Sequence, residues 1–168
     1  MADYLTQGLE GFSLSGEATV ELMQAAFRKG ACFRFQVKGY SMSPFIKDND
    51  IITLAPIPFP GSGLGKTVAC VLPANNKLLV HRIVGRKNGH YLIKGDNVAK
   101  ADSLIPKEDI LGYVTSIERG NKTIFFSLGL ERLVIVFLSK NNLLPLFSSL
   151  WRIIPGPLRG FLKCKVIL

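Results

Sequence analysis

Cysteine is scarce. Cys32, Cys70 and Cys164 are the only three, they stand far apart, and no Cys-x-x-Cys spacing occurs. Such usage argues against a structural zinc site and against a disulfide framework. Long apolar runs are missing as well, since no stretch reaches the ~18 consecutive apolar residues that a spanning helix needs. Met1 to Phe12 carries Asp3 and Glu10 without an apolar run, so it reads as neither a signal peptide nor a membrane anchor. Acidic residues are few, 12 against 21 Lys plus Arg, which leaves a formal charge of +9. Charged residues amount to 20% against 48% hydrophobic, too apolar for a disordered polyelectrolyte. At 168 residues the chain can build one domain with a core but hardly two.

Three regions differ in texture. Residues 1–30 predict one helix: Glu17, Val20, Met23 and Phe27 recur about a turn apart, Ser13 or Ser15 can cap its start, and Gly30 stops it. One helix is too little for a helix-turn-helix reader. Residues 31–118 read as short strands and turns. Phe33, Phe35 and Val37 alternate with Arg34, Gln36 and Lys38, and further strands are expected at 51–54, 67–72, 78–84, 91–94 and 110–117. Ala55 to Gly65, rich in Pro and Gly, is loop. Residues 119–168 are apolar and basic: Ile124 to Leu138 is strongly hydrophobic, and Leu143, Phe147, Leu150 and Ile154 then recur at helical spacing.

Three constellations carry chemistry. In Gly39-Tyr40-Ser41-Met42-Ser43-Pro44, a glycine and a proline restrain a serine at a strand end, the immobility a nucleophile needs. The plainer reading is a surface turn. In Val80-His81-Arg82-Ile83, the imidazole points to one face of a strand and Val80 and Arg82 to the other. A neutral ring there can take a proton from a hydroxyl, or can be a half-buried histidine satisfied by backbone. His90, in a turn, reads as an exposed loop residue. In Lys94-Gly95-Asp96-Asn97, followed by Asp102, either carboxylate can orient His81, or Asp96 can bond its own turn. Spacing does not choose between them.

The order G-Y-S-M-S-P, D-N-D-I-I-T, V-H-R-I, K-G-D-N, I-L-G-Y-V over about residues 35–115 resembles the signal peptidase and SOS-repressor peptidase group. Within that group the archaeal and endoplasmic-reticulum signal peptidases carry histidine where others carry lysine, and His81 resembles that branch. The resemblance implies a mainly β fold: a coiled, mostly antiparallel β domain that binds substrate as an extended strand, here with an N-terminal helix and a C-terminal amphipathic helical tail. It implies Ser41 as nucleophile, His81 as general base, Asp102 as acidic partner and Asp96 as a supporting residue. The oxyanion would be held by backbone N–H near Ser41, with the Ser43 or Tyr40 region contributing. A shallow apolar pocket of Met42, Phe45 and Ile52 would select small side chains. No cofactor or metal is implied. The usual N-terminal tether of signal peptidases and the DNA-binding domain of the repressors have no counterpart in residues 1–30, so a short stand-alone relative is expected. The competing expectation is a non-catalytic peptide-binding or membrane-surface module on the same scaffold.

Gly63-Leu64-Gly65-Lys66-Thr67 echoes a phosphate loop, but Pro60 stands where its first glycine should be, and a strand rather than a helix is expected after Thr67. Over residues 129–168 an apolar face with Trp151 and a cationic rim fits peripheral membrane contact, or packing on the core or a second subunit. No aromatic platform accompanies the charge, so nucleic acid is not an expected partner. The expected location is cytoplasmic or peripheral at the inner membrane surface.

Overall fold

The computed structural model describes residues 16–58, 63–73, 75, 77–100, 104–124, 129, 131–141 and 143. Helix α1 (Gly16–Arg28) is rich in Ala, Glu, Leu, Met and Gln, all good helix formers, with Glu17 in its first turn and Arg28 in its last. Gly30, at φ +70°, ends it while its N–H donates to Phe27 O. The expected caps Ser13 and Ser15 lie outside the described residues.

Eight strands form one antiparallel sheet: β1 (Phe33–Gln36), β2 (Ile51–Pro56), β3 (Thr67–Leu72), β4 (Lys77–Lys87), β5 (His90–Lys94), β6 (Leu104–Ile105), β7 (Ile110–Arg119) and β8 (Lys122–Thr123). Their order is β1-β2-β7-β3-β4-β5-β6, with β8 on β7. The mainly β expectation, with its N-terminal helix, therefore holds. The sheet continues past residue 118, where the sequence reading ended the β core.

The two faces carry separate cores. Met23 of α1 packs with Met42, Ile46, Ile52, Leu54, Val114 and Ile117 on one, while Val68, Cys70, Ile83, Ile93, Ile105 and Ile110 fill the other. Burying Met23 completely is worth about 1.5–3 kcal/mol, which fixes α1 to the sheet. Helix α2 (Arg132–Lys140) lies beyond β8 and packs through Ile135 on Phe45. The helical repeat expected from Leu143 onward falls outside the described residues, apart from Leu143 itself.

Residues 63–67 do not build a phosphate cradle. Thr67 opens β3, and Lys66 Nζ sits 4.7 Å from the centre of the Tyr113 ring. Burial lowers the Lys66 pKa from the ordinary lysine range, and the nearby Arg132 charge adds to the lowering.

Candidate active site

The serine lies in the turn that leaves β1. Gly39, at φ +104°, takes a conformation that disfavours side chains, and its N–H donates to Asp48 Oδ1 at 2.8 Å. Beyond it, Ser43 N–H donates to Tyr40 O, while the N–H groups of Phe45 and Ile46 donate to Met42 O. Met42 and Ile46 are buried and pin this turn to the core. Its far end is held by Asp50, whose carboxylate accepts from Lys47 N–H and from Arg119 Nε and Nη2; Arg119 Nη2 also donates to Phe45 O. Ser41 is thus presented by a loop tied down at both ends.

His81 comes from the middle of β4, which antiparallel pairing places between β3 and β5. Strand alternation sends His81 to one face and Arg82 to the other. His81 is 4% exposed, and its Nε2 lies 2.9 Å from Ser41 Oγ. That is hydrogen-bond distance between residues 40 positions apart.

A third segment, the turn after β5, closes over the pair. Asn97 N–H donates to Ser41 O at 2.7 Å, and Asn97 Nδ2 to Tyr40 O at 3.3 Å. Gly95 touches both residues of the pair: a Cβ there would lie 2.8 Å from Ser41 O and 3.1 Å from His81 Nε2. Only a residue without a side chain leaves the ring and the serine backbone undisturbed.

Asp96, expected as a supporting residue, pairs with Arg82. Both its oxygens accept from Arg82, Nε at 2.8 Å and Nη2 at 2.7 Å, and both side chains are completely buried. Arg82 also donates to Gly65 O at 2.8 Å, and its guanidinium lies over the Phe45 ring. Arg82 and His81 leave β4 on opposite faces, and the Arg82 pair holds Asp96 within the turn whose Gly95 and Asn97 contact the site. Asp102 lies outside the described residues.

The expected specificity pocket is also placed otherwise. Ile52 is 0% exposed within the core around Met23, Met42 belongs to the same cluster, and Phe45 is packed between Ile135 and Arg82. These are scaffold side chains under the site, with almost no surface for a substrate to touch. Ser43 N–H, already donating to Tyr40 O, is likewise spoken for. The main-chain N–H groups of Ser41 itself and of the next residue, Met42, adjoin the hydroxyl along the chain. A cavity of about 320 Å³ between α1, β2 and β7, lined by Phe27, Arg28, Ile57 and Leu111 among others, includes none of these residues.

The residues that the sequence reading missed are Gly95, Arg82, Asn97 and the Asp50–Arg119 pair. Only Arg82, a charged residue inside the otherwise aliphatic β4, carries the signal that singles out His81; Gly95 and Asn97 lie in a turn, Asp50 precedes β2, and Arg119 closes β7.

The antiparallel β domain thus presents a buried imidazole to a restrained serine hydroxyl. Residues 6–115 match the Peptidase S24-like family, more than half of the chain, and the chain belongs to that family. This places it with the repressor-type peptidases at the level of family. No curated protein matches the sequence. Among the described residues, no group of three or more His, Cys, Asp or Glu is arranged to hold a metal ion, and no helix is long and apolar enough to cross a membrane.

Proposed function

We propose that the chain is a serine endopeptidase of the histidine type, resembling the archaeal and endoplasmic-reticulum signal peptidases in its choice of base. The observation that carries this reading is the 2.9 Å contact between Ser41 Oγ and His81 Nε2 in a chain of the S24-like family. In the proposed reaction a polypeptide lies extended across the site. His81 Nε2, unprotonated, accepts the Ser41 proton as Oγ attacks the scissile carbonyl carbon. The resulting oxyanion is met by the N–H groups of Ser41 and Met42. His81 then returns the proton to the leaving amine, and the acyl group stays on Oγ until water, deprotonated by the same nitrogen, releases it. This cycle requires the imidazole proton on Nδ1, and Asp102 is the acceptor assigned to it.

The test is cleavage of an unstructured polypeptide panel by the full chain and by Ser41→Ala and His81→Ala, each checked for an unchanged unfolding midpoint. Wild-type cleavage lost in both variants is the expected result. Cleavage that persists in Ser41→Ala overturns the reading. A folded wild type that binds peptides and never cuts them favours the non-catalytic module.

A further inference from the structure

Helix α2 is fixed on one side and bare on the other. Ile135, Val136 and Ser139 are buried, Ile135 against Phe45, while Lys94 Nζ from β5 donates to Ser139 O at 2.8 Å in the last turn. This is a helix held in place by the sheet, not one waiting to find its position. Leu133, Val134 and Phe137 nevertheless stand 49%, 60% and 64% exposed. Spaced one and four residues apart, they form a single outward stripe.

Cations gather at the C-terminal end of the helix. Lys140 Nζ lies 3.8 Å from where a Cβ on Gly85 would stand, and the exposed Arg86, its guanidinium over the Tyr91 ring, and Lys87 follow Gly85 in β4. Glu131 is the acidic group at the opposite end, where it accepts from Gly129 N–H. In sequence, residues 144–168 hold Arg152, Arg159, Lys163 and Lys165 and no Asp or Glu. A second copy of the chain is a poor occupant, because a two-fold contact would bring this cationic end against itself. An anionic bilayer surface suits both features: its headgroups meet the cations and its acyl boundary receives the stripe.

We propose that the α2 face made by Leu133, Val134 and Phe137, with Lys140, Arg86 and Lys87 at its C-terminal end, docks the protein on an anionic lipid surface. This goes beyond the peptidase reading and does not depend on it. The experiment is co-sedimentation of the full chain with vesicles of phosphatidylcholine alone or with phosphatidylglycerol added. Binding to the anionic vesicles is expected, weaker by about tenfold or more on phosphatidylcholine. The triple variant Leu133→Ser, Val134→Ser, Phe137→Ser, confirmed folded by its urea midpoint, should bind about tenfold more weakly or worse. Should it unfold, Arg86→Glu with Lys87→Glu replaces it, with about tenfold loss again expected. Equal binding by wild type and variant, equal binding to both vesicle types, or no binding at all overturns the proposal. So does a wild-type dimer that the triple variant abolishes without any vesicle binding. Ser41→Ala should bind vesicles like wild type, which separates this outcome from failure of the peptidase assignment.

Discussion

Gly95→Ala places one methyl group against both members of the Ser41–His81 pair. The new Cβ would stand 2.8 Å from Ser41 O, 2.8 Å from Val98 Cγ2 and 3.1 Å from His81 Nε2. Comfortable carbon contacts begin at about 3.5 Å, so roughly 0.7 Å must be found on two sides at once. Val98 can rotate its methyl away. Ser41 O cannot yield as cheaply, because it is main chain and accepts Asn97 N–H at 2.7 Å. Overpacking of this kind costs about 1–3 kcal/mol. A shift approaching 1 Å between reacting groups costs about a hundredfold in rate. The variant should therefore lose about 1–3 kcal/mol in urea unfolding and about one to two orders of magnitude in acylation of Ser41 by a fluorophosphonate. Gly30→Ala is the control: it sits at φ +70° with nothing within 4 Å, so it should lose about 1–2 kcal/mol with acylation unchanged. Gly95→Ala acylating at the wild-type rate with an unchanged midpoint would refute this account of the turn.

Three further substitutions follow from the ion pairs and from the proposed partner of His81. Asp96→Asn leaves the completely buried Arg82 without its counter-charge and should cost about 3–5 kcal/mol in urea unfolding, whereas Asp102→Asn should slow acylation and spare the midpoint. The reverse pattern would make Asp96 the partner of His81. At the sheet surface, the Arg34 hydrogen bond lowers the Glu118 carboxyl pKa, partial burial opposes this, and the Arg34 charge lowers it further. A depressed carboxylate contributes stability above the ordinary value near pH 4.3, and that contribution is lost as pH falls through the folded value. With the two side chains 38% and 32% exposed, screening holds the pair to about 0.5 kcal/mol. Glu118→Gln should thus shift the urea midpoint slightly at neutral pH and low salt, and not at all in high salt; a large, salt-insensitive loss would contradict the surface assignment.

Much of this architecture was legible in local pattern. Alternation at Phe33–Gln36 marks β1, and the aliphatic runs around Thr67–Leu72 and His81 mark β3 and β4 to within a few residues. Strands β6 and β8, two residues each, are too short to show any period and exist only through pairing with β5 and β7. Ser41 and His81 stood out because a restrained serine and a strand histidine are each locally conspicuous. The pairing of Arg82 with Asp96 did not, since it depends on how the β4–β5 register sets Arg82 against Lys94 and where the next turn then crosses. The same limit misplaced Met42, Phe45 and Ile52: apolar residues near a serine look like a pocket in sequence, and three-dimensional packing makes them core.

The central claim is that Ser41 Oγ reacts as a nucleophile because His81 takes its proton. The most direct measurement is mass spectrometry of the full chain after fluorophosphonate treatment, with the adduct mapped to a residue, beside His81→Ala at matched stability. The account predicts one adduct, on Ser41, that disappears in the variant. An unmodified Ser41 in the folded wild type, or modification that continues at the same rate without the imidazole, would contradict it.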